Sequence, residues 1–403
     1  MQTPLEPSHN RHIHTFSLSL TKLGDGLVDP KLVLAWLVTY LGAGPAFVGL
    51  LVPLREAGAL LPQLVTAVKL RQYAVRKWWW VAGSVVQGLM VLVMAFSAFL
   101  FTGALAGWVI VSAVAVFALA RSICSVSYKD VLGKTVDKNI RGLVTGTASS
   151  IAAGGVLIFG LALWFDWLTE PTLIIGALLL ATVLWLVAAI NFSRLEEAPS
   201  ETASLSGQQA FSLYLTYLKE DRELLKFIVT RGLLTATAVV PPFLLLLYQA
   251  SGGSVVNQLG SLVIASSFAT FVSGRVWGQL SDRSTPAVLA LAGLAAGVVL
   301  LITASLAMSP IFQSVWFLPL VLFVVMVAYQ GVRIARSIHL VNLATEETRA
   351  AYTALSNTII GLVLLGTGLF GVLAELIGVR EVVVVLAVMS LVGGIFASRL
   401  AKP

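Results

Sequence analysis

The chain is built from long apolar runs separated by short polar breaks. The runs lie at about 15–40, 46–68, 79–101, 104–126, 142–164, 171–192, 224–248, 255–276, 286–308, 316–338, 350–374 and 380–398. A membrane-spanning helix needs roughly 20 mostly apolar residues, so the pattern predicts twelve spans and an all-α membrane protein. The polar remainder is a tail over 1–14, a linker over 193–223 and a short tail over 399–403. The linker separates an N-terminal six-helix bundle, 15–192, from a C-terminal six-helix bundle, 224–398.

The loops alternate in charge. Those after spans 1, 3, 7 and 9 (LGAGP, FTG, ASGG, SPIFQ) hold no Lys or Arg, and the loop after span 5 holds Asp166 and Glu170. The loops after even-numbered spans are basic: Lys69, Arg71, Arg76 and Lys77; Lys129, Lys134, Lys138 and Arg141; Arg194 and Lys219; Arg275 and Arg283; Arg336 and Arg349. Basic loops favour the cytoplasmic side, so both termini and the linker are expected there, with Arg380 as the exception. Trp78, Trp79 and Trp80 follow RQYAVRK, as an interfacial aromatic anchor does.

Composition agrees with the pattern. Hydrophobic residues make up 58% of the chain and charged residues 11%, against about 25% charged in soluble domains. The net charge of +7 is then a property of basic loops rather than a nucleic-acid surface. A single cysteine, Cys124, excludes an intrachain disulfide and a multi-cysteine metal site. His9, His12 and His14 in the first tail read as a solvated segment rather than a metal site. In the linker, FSLYLTYLKEDRELLKF has apolar residues at helical spacing and suits a segment lying on the membrane surface.

The two halves repeat one another. Gly58-Ala-Leu-Leu-Pro-Gln-Leu64 matches Gly274-Arg-Val-Trp-Gly-Gln-Leu280, and Ala120-Arg-Ser-Ile123 matches Ala335-Arg-Ser-Ile338. The offsets, 216 and 215 residues (274 − 58 and 335 − 120), agree within one residue. Two matches at one offset, in the second and fourth spans of each half, indicate a duplicated six-helix unit. The loop GRVWGQLSDRS, with Gly278, Leu280, Asp282 and Arg283, resembles the G-x-L-x-D-R signature of the major facilitator superfamily. LGDGLVDPKLVLAWLV and ALLPQL in the first two spans are similar to the same superfamily. The resemblance implies two pseudo-symmetric bundles rocking about a central site. It also implies gating by Gly278, Asp282 and Arg283, with Asp282 holding an arginine or a helix N-terminus in one state. The first-half copy, PQLVTAVKLRQYAVRK, keeps the bases and lacks the Asp-Arg pair.

Charge within a span is costly and marks a cavity or a partner. Span 1 carries Asp25, Asp29 and Lys31, with Gly24, Gly26 and Pro30 beside them. Asp25 and Asp29 are four residues apart and share a helix face. Span 2 carries Arg55 and Glu56, and Arg55 is expected to pair with Asp29 at similar depth, as a fixed or a switchable pair. Proton coupling is expected from Asp25, Asp29 or Glu56, with Asp25 the carrier and Asp29 the ion-pair partner. Substrate contacts are expected from Asp25, Asp29, Lys31, Arg55, Gln330 and Arg333. Arg121 and Arg336, equivalent in the repeat, read as gating residues or snorkelling anchors near the cytoplasmic ends of spans 4 and 10. Arg231 is a weaker cavity candidate.

No Walker loop, dinucleotide fingerprint, zinc spacing or hydrolase elbow occurs in the sequence, so neither an enzyme nor a cofactor is expected. The expected protein is a monomeric secondary active transporter of a bacterial inner membrane. It would move a small polar or charged solute by alternating access with protons. Two alternatives stay open at this point: a metal-ion exporter similar to ferroportin, and a membrane assembly factor that transports nothing.

Overall fold

The computed structural model describes residues 7–70, 72–137, 140–165, 170–199, 221–253, 258–344 and 349–401. The first half contains α1 (Pro7–Leu27), α2 (Val33–Tyr40), α3 (Pro45–Leu60), α4 (Gln63–Leu70), α5 (Lys77–Leu100), α6 (Gly103–Thr135), α7 (Arg141–Trp164) and α8 (Glu170–Ser193). The second contains α9 (Arg222–Leu233), α10 (Ala236–Ala250), α11 (Leu259–Arg283), α12 (Thr285–Leu306), α13 (Phe317–Leu343), α14 (Arg349–Thr367), α15 (Leu369–Ile377) and α16 (Val379–Ala397). No strand occurs among the described residues.

Ten described helical stretches are long and apolar enough to cross a membrane, and α11, bent by 42° near Gly274, makes an eleventh. The remaining expected span, the first, corresponds to α1 and α2. Its α2 is apolar but only 8 residues long, and its α1 carries Lys22 and Asp25.

Proline and glycine set the helix breaks. Pro30 lacks an N–H and clashes with a continuing helix, and α1 ends three residues before it. The amides of Lys31 and Leu32 then donate to Asp29 Oδ1 at 2.7 and 3.1 Å, so that carboxylate closes the break. Pro62 separates α3 from α4, and Gly368 separates α14 from α15.

The packing repeats between halves. The second span packs on the fourth in each (α3 on α6, α11 on α13), the third on the fourth (α5 on α6, α12 on α13) and the third on the sixth (α5 on α8, α12 on α16). Between halves, the second span of each meets the fifth of the other: α3 with α14 and α15, and α11 with α7.

The two faces of this interface differ. On the face away from the linker, the Ala46 amide donates to Glu375 Oε1 at 3.0 Å across the halves, and Trp164 meets Trp316 with centroids 5.6 Å apart. Gly371 lies so close to α3 that a Cβ there would collide with the Pro45 and Ala46 carbonyls. Toward the linker, Asp282, Arg283 and Arg333 are exposed, and among the described residues the one side-chain hydrogen bond between halves on this side is Asn357 to Gln63 Oε1 at 3.5 Å. The interface is therefore closed on the far face and open toward the linker. Gly371→Val is expected to wedge the closed face apart and cost about 1–3 kcal/mol of stability, the range for overpacking. Thermal unfolding in detergent measures it, and an unchanged midpoint would show that the face yields freely.

The first tail differs from expectation. Helix α1 starts at Pro7, and His14 is fully buried. Its Nε2 lies 2.7 Å from Thr135 Oγ1, and its ring meets Tyr128 and Phe192 edge-on. Asn10 bonds to the backbone of Glu196 in both directions, at 3.0 and 3.1 Å. The segment is ordered because Ile13, Trp80, Phe192 and Leu195 form an apolar cluster under it, which a polar composition did not reveal. Residues 200–220 of the expected linker, including FSLYLTYLKE, lie outside the described residues.

Candidate functional site

The charges of span 1 come together with those of spans 2 and 4. Arg55 Nη2 lies 2.7 Å from Asp25 Oδ1, and Arg121 Nη1 bonds to both oxygens of the same carboxylate. Arg55 also stacks on Phe117, with its guanidinium carbon 4.6 Å from the ring centroid. One carboxylate thus holds two guanidiniums, and the cluster keeps one positive charge.

Two expectations are corrected here. Arg55 does not pair with Asp29, because that carboxylate is turned to the backbone amides at the helix break. Arg121 is not near the end of its helix, because α6 continues to Thr135. Fourteen residues separate the two, so Arg121 lies roughly 21 Å from that end at 1.5 Å per residue.

Lys31 is buried at 6% exposure. Its Nζ sits 3.4 Å above the centroid of the Tyr329 ring on α13, so a first-half cation reaches into the second half through a cation–π contact.

A pocket opens beside this contact, between the halves. Glu56 lines it from the first half, and Arg231, Thr235, Thr237, Tyr329, Arg333 and Arg336 line it from the second. The Glu56 carboxylate makes no ion pair and no hydrogen bond among the described residues. Arg231 is held by neutral groups: Nη1 donates to Ser356 Oγ at 2.7 Å and Nη2 to Asn357 Oδ1 at 3.0 Å. Gln330 is not part of the lining; it donates to Thr270 on α11 at 2.9 Å.

Arg121 and Arg336, equivalent in sequence, differ in surroundings. Arg121 is bound to Asp25, whereas Arg336 lines the pocket with no ion-pair partner among the described residues. The second half has no carboxylate where the first has Asp25.

The gating candidates are also partly redefined. Asp282 and Arg283 close α11 and are exposed, and neither side chain has an ion pair or hydrogen bond among the described residues. Gly278 has open space around its Cα. In the first half the missing acid is supplied from elsewhere. Arg76 pairs with Asp130 at 2.5 Å, Lys134 pairs with Asp130 at 2.6 Å and with Glu197 at 3.1 Å, and Glu197 Oε2 accepts from the amides of Arg76 and Lys77. Asp130 and Glu197 had no motif to single them out, since they lie 54 and 121 residues from Arg76.

Among the described residues no three His, Cys, Asp or Glu side chains converge to hold a metal ion.

No family model matches the chain, and no curated protein matches it. Solved structures do. A POT family transporter in complex with 5-aminolevulinic acid gives a TM-score of 0.75 at 10% identity, covering 97% of this chain and 96% of that one. The nucleoside transporter NupG gives 0.69 at 14% identity, covering 97% and 98%. A D-xylose-proton symporter gives 0.69 at 12% identity, covering 98% of both. The chain has the major facilitator fold, an all-α membrane architecture of two pseudo-symmetric bundles. It is an integral membrane protein.

Proposed function

We propose that the chain is a secondary active transporter that takes a small solute into the pocket between its halves and exposes it to either side in turn. One observation carries this: a charged pocket lies between two repeated bundles that are packed on one face and open on the other. Placing Glu56, Arg231 and the Asp25 cluster inside an apolar bundle is costly, and a passive scaffold gains nothing from it. Alternating access uses such a pocket directly. The names of the similar solved structures, a D-xylose-proton symporter among them, support the same reading.

The coupling ion in this reading is the proton, and its carrier is Glu56 rather than Asp25. Asp25 is engaged with two arginines, while Glu56 faces the pocket without a partner. Proton movement across proteoliposomes on addition of a transported solute tests the reading. A chain that binds solutes but carries neither them nor protons would be a binding scaffold.

The linker face is assigned to the cytoplasm by its Lys and Arg excess, which makes the described conformation inward-facing and leaves Asp282 unlatched. Cys124 is buried, so single introduced cysteines report cleanly. Thr102→Cys should be labelled from outside intact cells, and Ala198→Cys should not. Thr102 is preferred to Gly103, whose φ of 61° strains any side chain. Outside labelling at Ala198→Cys would invert the topology.

A further inference from the structure

The pocket carries more positive charge than alternating access requires. Its lining holds Arg231, Arg333 and Arg336 against one carboxylate, Glu56, and none of the three arginines makes an ion pair among the described residues. Arg231 is the most confined, at 7% exposure. Two of its nitrogens rest on neutral oxygens, and its Nε is buried without a hydrogen-bond partner. In the first half, by contrast, Arg55 and Arg121 share Asp25.

A buried cation without a counter-charge is destabilising. A neutral sugar or nucleoside would leave it so. A carboxylate or phosphate would match it, since the guanidinium fork presents paired donors to those groups. We propose that the substrate is an anion, bound through a carboxylate or phosphate group by Arg231, Arg333 and Arg336. This rests on the pocket being the transport site. The anion enters beside Glu56, and the two negative charges repel while Glu56 is ionised. A proton on Glu56 removes that repulsion, so anion and proton travel together.

Thermal unfolding of the purified full chain in detergent, at constant ionic strength, tests the site. The probes are millimolar succinate, inorganic phosphate and phenyl phosphate, against xylose, uridine and choline, with phosphatidylglycerol as the lipid-headgroup control. At least one soluble anion should raise the midpoint, and its affinity should fall about tenfold or more in Arg333→Gln. Arg333 is exposed, so that variant should fold normally. Arg231→Lys should keep part of the affinity that Arg231→Gln loses. Stabilisation by xylose, uridine or choline instead of the anions overturns the proposal. So does stabilisation by phosphatidylglycerol alone, by no probe at all, or by an anion acting equally on Arg333→Gln. Counterflow of the same probes in proteoliposomes separates the two readings. Anions that bind without crossing leave the anion site and sink the transporter; xylose that crosses without anion binding does the reverse.

Discussion

Asp25→Asn should be the most damaging single change in the first half. The carboxylate holds Arg55 and Arg121 together, and an asparagine leaves two guanidiniums facing each other with no carboxylate bonded to either. Removing one partner of a buried pair costs about 3–5 kcal/mol. Arg121 is 36% exposed, so water offsets part of this, and about 2–4 kcal/mol is expected. Asp29→Asn is the control. An asparagine oxygen still accepts the amides of Lys31 and Leu32, and Asn replaces Asp as a cap at little cost, well under about 1 kcal/mol. Adding Arg121→Gln to Asp25→Asn should restore part of the lost stability, because it removes one of the two orphaned charges and the repulsion between them. Chemical or thermal unfolding of the four proteins measures this. If Asp29→Asn were the costlier single change, the Asp25 cluster would not be the structural pair described here.

Glu56→Gln should abolish proton-driven accumulation while sparing exchange. The glutamine keeps the size of the side chain and cannot carry a proton. The groups that face Glu56 are Lys31, the neighbouring Arg55 on its own helix, Arg121 across the first half, and Arg231, Arg333 and Arg336 across the pocket. In the variant, substrate should still equilibrate across proteoliposomes. An imposed pH gradient should no longer concentrate it, a loss of at least about tenfold in the accumulation ratio; each tenfold corresponds to about 1.4 kcal/mol of driving force. Undiminished gradient-driven accumulation by Glu56→Gln would remove Glu56 from the coupling path. Loss of exchange as well, with the fold intact, would make it a substrate contact rather than a proton carrier.

Much of the architecture was readable from hydropathy because a bilayer leaves few alternatives. Backbone groups must bond within a helix or a closed barrel, so an apolar run of the right length has one available structure. The polar stretch 193–223 and the 215–216-residue offsets pointed to the division into halves, and the loop charges to the side each loop faces. Ends of helices were less readable. The extension of α6 to Thr135 and of α1 back to Pro7 carries polar residues that look like loop and tail. They are helical because each packs on the other near His14 and Thr135.

Hydropathy placed ionisable residues in spans 1, 2 and 7 and near the ends of spans 4 and 10, with glycine and proline beside the charges of span 1. It could not determine which carboxylate Arg55 takes. Asp25 and Asp29 sit one helical turn apart on one face, and periodicity treats them alike. Packing separated them. The break frees two amides, and the nearer carboxylate, Asp29, turns to them. Asp25 remains within the intact helix, where α3 and α6 bring Arg55 and Arg121 to it from positions 30 and 96 residues away. The pocket was decided the same way. Arg231, Arg333 and Arg336 read as isolated charges on two helices, and it is the packing of one half against the other that places them opposite Glu56.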